Sequence, residues 1–78
     1  MDIEYTLEIY APDSESVVDS RHEGLTTPPA TFNVGDKIKT ATMEGSATVT
    51  RVSHLTWESF GKLNHKVMIF TTRKTVRA

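Results

Sequence analysis

The chain has 78 residues, of which 37% are hydrophobic and 24% charged, with no cysteine and a formal net charge of -1. That length makes one domain, which buries only about 60% of its unfolded surface and keeps a stability margin of a few kcal/mol. The missing cysteines exclude disulfides, thiolate chemistry and cysteine-ligated zinc, and no run of about 18 apolar residues provides a membrane-spanning helix.

The charge is lopsided. Residues 1–38 carry eight acidic and two basic side chains, a balance of -6, and residues 39–78 carry two acidic and seven basic ones, a balance of +5. Two readings compete. The basic half forms a binding face, or the acidic first strand pairs with basic later strands in a closed sheet. The chain starts with an acidic alternating segment, not a basic stretch followed by an apolar one. No secretion signal is therefore read, and a cytoplasmic protein is expected.

Residues 2–10 alternate, with Ile3, Tyr5, Leu7 and Ile9 on one side and Asp2, Glu4, Thr6 and Glu8 on the other. Period two over this length predicts a strand with a buried and a wet face. Glu4 and Glu8 then read as solubilising charge. Residues 11–31 lack sustained periodicity. Pro12 to Ser16 is turn chemistry, Val17 and Val18 make one helical turn or a short strand, and Pro28-Pro29 favours extended backbone. A long loop is expected here, serving as a binding loop or simply mobile.

From Phe32 to Phe70 the pattern predicts three consecutive antiparallel strands. Val34-Gly35-Asp36 turns the chain into a strand from Lys37 to about Met43, and Glu44-Gly45-Ser46 turns it again. In the next strand, Ala47 to about Trp57, the apolar positions run Ala47, Val49, Val52. The step of three breaks period two and predicts a β-bulge near Thr50-Arg51. Ser59 to Lys62 reverses the chain into Leu63–Thr72, apolar on both parities through Val67, Met68, Ile69 and Phe70. A short last strand, Lys74 to Arg77, would close the sheet. The expected core is Ile3, Tyr5, Leu7, Ile9, Ile38, Val49, Val52, Val67 and Ile69.

Five strands with a long loop after the first describe an all-β, SH3-like small barrel. The stretches Val34-Gly35-Asp36-Lys37-Ile38 and Gly45-Ser46-Ala47-Thr48-Val49-Thr50-Arg51-Val52 resemble the entry turn and second strand of KOW and Tudor-type barrels. The resemblance implies a fold and no site. The aromatic cluster that would cage a methylated cation is missing.

Few residues carry chemistry. His54 and His65 fall on neighbouring strands if the intervening hairpin is tight, and with Glu58 or Asp36 they would offer metal ligands. Their spacing matches no compact metal motif, so no metal and no cofactor is expected. The glycines stand singly, which excludes a phosphate-cradling loop, and a barrel this small has little room for an enclosed pocket. A non-catalytic interaction module is therefore the expectation. Its partner would be a protein met through Trp57, Phe60, Met68 and Phe70, or a second copy of the chain. The compact, cysteine-free design also fits a phage or mobile-element protein that modulates a host factor. The alternative is nucleic-acid binding through Arg51, Lys62, Lys66, Arg73, Lys74 and Arg77, with Trp57 as a stacking surface.

The Met68–Phe70 parity raises a further question. If Val67 and Ile69 line the interior, Met68 and Phe70 need cover from Val17, Val18, Leu25 or Pro28-Pro29, or they form an exposed contact strip.

Overall fold

The computed structural model describes residues 2–41, 43 and 45–74. Its strands are β1 (Ile3–Tyr10), β2 (Val18–Leu25), β3 (Lys37–Ile38), β4 (Ala47–Ser59) and β5 (Lys62–Thr72). They form one sheet in the order β2-β1-β5-β4-β3, curled into a half-barrel. The described residues contain no helix.

The antiparallel meander of β3, β4 and β5 follows the sequence pattern. The Asn33–Asp36 turn is closed twice. The Asp36 amide donates to the Asn33 carbonyl at 3.0 Å, and the Asn33 amide donates to the Asp36 carboxylate at 2.9 Å. Gly35 takes the left-handed φ of 98° that this turn requires. β4 and β5 lose register between Val49 and Arg51, so Thr50 is the extra residue of a bulge. β3 is shorter than expected, because only Lys37 and Ile38 pair with β4. The expected strand to Met43 crosses Thr42, and the expected 44–46 turn includes Glu44; both residues lie outside the described ones. The proposed closing strand begins at Lys74, which sits in a bend, and its remaining residues also lie outside.

Two features depart from the sequence reading. The first is β2. Residues 11–31 are not one long loop, since Val18–Leu25 pairs antiparallel with β1 from Tyr5–Leu25 to Tyr10–Val18. The second is β1 itself, which lies parallel to β5 from Ile3–Leu63 to Ile9–Ile69. Two strands that enter the sheet in the same direction need a long crossover. β2, the Pro28–Phe32 segment and the meander supply it.

The core gathers on the inner face of the curl. Ile9, Met43, Ala47, Val49, Val67 and Ile69 are buried together, with Leu7, Phe32, Ile38 and Val52 packed against them. Met43 and Phe32 were not in the expected core. Ile3 was, yet it is 41% exposed, because β1 starts at the open end of the sheet. Tyr5 is half-buried at the same end.

A candidate interaction surface on the long hairpin

β4 and β5 pair from Thr48–Thr72 to Ser59–Lys62. The Ser59–Lys62 pair leaves Phe60 and Gly61 as a two-residue turn, with φ of 51° and 74°. Both residues are left-handed, the geometry of a type I′ hairpin. Gly61 adopts it freely. Phe60 does not, since a side chain in this region costs roughly 1–2 kcal/mol. Its ring is fully exposed. The fold therefore carries an aromatic at its tip that packs on nothing and strains the backbone.

The bulge decides which β4 side chains join it. Val49 and Val52 both face the core despite their spacing of three, so Thr50 absorbs the change of parity. Beyond it, His54, Thr56 and Glu58 continue the inner face, while Leu55 and Trp57 point to the outer face. Leu55 is 50% and Trp57 42% exposed. The five residues from His54 to Glu58 are all exposed. The cause is topological. β3 pairs only with Ala47 and Thr48, and Gly35 and Asp36 reach only Val49. Beyond that point β4 is the edge of the sheet.

Trp57 and Phe60, expected at a partner surface, are therefore exposed and within one hairpin end. Leu55 was not foreseen. Its signal was period two, since counting two residues back from Trp57 within the regular stretch past the bulge gives Leu55. Phe70 does not belong to this surface, which corrects the sequence reading. Its ring stacks on Tyr10 with centroids 4.6 Å apart, and the Arg51 guanidinium lies 4.1 Å above it. Glu15 holds Arg51 at 3.0 Å. Met68 is half-buried between Glu8 and Ser53. Cover for this face thus comes from Tyr10, Arg51 and Glu15. Val17 and Val18 stay exposed, and Pro28 and Pro29 lie on the opposite face.

Glu8 is a second correction. Its parity is as expected, but its face is not wet, and the residue is 2% exposed. Lys66 Nζ lies 2.8 Å from one carboxylate oxygen and Arg21 Nε 3.4 Å from the other. The Tyr10 hydroxyl donates to Oε1 at 3.2 Å. Burial pushes the Tyr10 hydroxyl above its ordinary range, and the adjacent Glu8 charge pushes in the same direction. A buried carboxylate with two cations and a hydroxyl is a satisfied structural cluster that ties β2 and β5 to β1.

These pairs also disperse the basic set. Lys66 is committed to Glu8 and Arg51 to Glu15. Lys62 sits at one end of β5 and Arg73 and Lys74 just beyond the other, roughly 33 Å away at 3.3 Å per residue. Arg77 lies outside the described residues. The acidic first half is thus partly paired with the basic second half, the plainer of the two charge readings.

Midway along the hairpin, on its inner face, His54 Nδ1 lies 2.9 Å from His65 Nε2, one ring donating and the other accepting. The pair borders a recess of about 220 Å³ with Tyr5, Pro29, Phe32 and Val52. That is below the range of about 300–1,000 Å³ typical of ligand sites. Among the described residues no three acidic, histidine or cysteine side chains group as metal ligands. The chain was compared with known proteins, and no family model, no curated protein and no solved structure matches it.

Proposed function

We propose that this chain is a non-catalytic module that binds a protein partner through the open end of its β4–β5 hairpin, with Leu55, Trp57 and Phe60 as anchors. Phe60 carries the reading. It is strained at a φ of 51° and fully exposed, which supports a contact outside the folded chain as its role. Aromatic side chains on a rigid strand support such contacts because they bury large area at small entropic cost. The SH3-like likeness is proposed at fold level only, supported by the Asn33–Asp36 turn and the bulged β4.

Capture from a lysate of the source organism tests the reading, with Phe60→Asn and Trp57→Ser as controls. Asn suits the left-handed turn position and Trp57 is exposed, so both variants keep the fold. Loss of the captured partner in both supports the proposal. Capture at wild-type strength by both contradicts it. Titration with oligonucleotides at low salt separates the nucleic-acid alternative, since binding through phosphates would fall steeply with salt.

A further inference from the structure

The open edge of β4 also carries a self-complementary pattern, and the inference drawn from it rests on the hairpin being the contact surface. Which backbone groups face outward follows from two fixed points. The Val49 amide donates to the Asp36 carbonyl and the Val49 carbonyl accepts from the Gly35 amide, both at 2.8 Å, so Val49 points away from β5. At the other end, Ser59 and Lys62 close a two-residue turn, and in that hairpin the closing pair bond to each other. Alternation back from Ser59 turns Trp57, Leu55 and Ser53 toward β5. It turns Glu58, Thr56, His54 and Val52 outward. The single extra residue at the bulge reconciles this series with Val49.

Two such edges meet antiparallel only where outward residues oppose outward residues. One such register is centred on Thr56. It sets Thr56 against Thr56, His54 against Glu58 and Leu55 against Trp57, each of the last two pairs occurring twice by symmetry. These are three favoured kinds of cross-strand pair: hydroxyl with hydroxyl, an imidazole with a carboxylate that can accept its remaining N–H, and aliphatic with aromatic. About six backbone hydrogen bonds join the strands, two for each of the three bonded pairs. The register centred on Leu55 instead opposes Glu58 to Val52 and Trp57 to Ser53, and loses both complementary pairs. The Thr56 register also carries Phe60 of one copy alongside Val52 of the other.

We infer that the chain forms a two-fold symmetric dimer in which the β4 edges of two copies pair antiparallel about Thr56, extending each five-stranded sheet into a continuous ten-stranded one. Along His54–Glu58 the one charge that could guard against it is Glu58, which this register sets opposite His54. The segment has no proline and no lysine, and its residues are all exposed.

Sedimentation equilibrium from about 1 µM to about 1 mM protein, a range that spans weak to moderate affinity, tests the inference on the full chain. The wild type should pass from monomer to dimer and no further, as expected of a closed two-fold contact. Thr56→Pro removes an outward N–H that β5 does not use, so it should remain monomeric with an unchanged circular dichroism spectrum. Glu58→Lys removes the carboxylate facing His54 in both symmetric pairs, puts a donor opposite a donor, and should weaken the dimer about tenfold. His54→Glu with Glu58→Lys restores an opposite pair and should recover wild-type association. A wild type that stays monomeric throughout overturns the inference. So does a Glu58→Lys variant that dimerises like wild type, whether or not Thr56→Pro folds. If the wild type is monomeric yet the lysate partner is still captured in a Phe60-dependent way, the dimer fails while the proposed function stands.

Discussion

The sheet has two long flanks that face solvent, and they are built differently. β2 carries Asp19, Arg21 and Glu23 and contains Gly24 at a φ of 68°. Its pairing with β1 shifts register twice, between Tyr5 and Leu7 and between Ile9 and Tyr10. Such an edge is twisted, charged and irregular, a poor template for another strand. β4 past its bulge is regular from Arg51 to Ser59 and presents Leu55 and Trp57 half-exposed. Its only charges are Arg51, which is clamped by Glu15, and Glu58. One flank carries most of the features that discourage strand pairing, and the other carries few of them. The contrast teaches that two edges of one sheet can differ as templates through register and charge alone.

Five tests sharpen or break this contrast. The largest effect belongs to the strand on which both flanks depend. Ile69 is fully buried on β5, the middle strand of the sheet, and Ile69→Ala should cost about 2–5 kcal/mol from lost burial and the cavity left behind. A change under about 0.5 kcal/mol in chemical denaturation, the scale of a surface site, would put β5 outside the core.

Proline substitution on β4 comes next. Leu55→Pro removes an N–H that faces β5 and should cost about 3 kcal/mol, whereas Thr56→Pro, one residue on, should cost under about 1 kcal/mol. Equal thermal destabilisation by the two would show that β4 is paired on both sides.

On the β2 side, Glu8→Ala should cost about 1–3 kcal/mol, because Lys66 and Tyr10 lose a buried partner and β2 loses Arg21 as an anchor. Faster proteolysis within residues 18–25 is the expected companion result. Unchanged cleavage there would mean that the Glu8–Arg21 pair does not hold β2, leaving its ladder and the Thr40–Asp19 hydrogen bond.

Smaller and opposite in sign, Phe60→Asn should stabilise the monomer by about 1 kcal/mol by relieving the turn. A destabilised variant would give Phe60 a packing role and remove the argument built on it.

The weakest effect is one of pH. The Thr72 hydroxyl and the Arg73 amide both donate to Asp13 and hold its carboxyl below the usual carboxylate range. A carboxylate lowered on folding adds stability above its unfolded pKa, and that contribution is lost as pH falls through the folded value. Asp13→Asn should therefore flatten the acid limb of the stability curve while leaving neutral stability only slightly reduced. An identical acid limb in the two proteins would free the β1–β2 connection from this anchor.

Much of the meander was legible in the sequence, because its signals are local. Alternation marks β1, the step from Val49 to Val52 marks the bulge, and Ser59 to Lys62 marks the hairpin. β2 was illegible for a physical reason. In Val18–Leu25 neither face is deeply buried, so no apolar period develops. The parallel pairing of β1 with β5 has no local signature at all. Glu8 was assigned the correct face and the wrong environment, since the Arg21 that helps cover it arrives on the strand that left no pattern. Phe70 failed as a contact residue for the same kind of reason: its cover, Tyr10 and Arg51, comes from two other strands. Trp57 and Phe60 were readable because exposure at a hairpin end follows from chain position.

Residue-resolved amide hydrogen exchange along β4 tests the central claim, that this edge is open and is where the chain makes contact. In dilute solution the amides of His54, Thr56 and Glu58 should exchange quickly while Ser53, Leu55 and Trp57 are protected. As concentration rises, the first set should become protected and the second should not change. Uniform protection in dilute solution, or an alternation that concentration leaves untouched, would contradict the account.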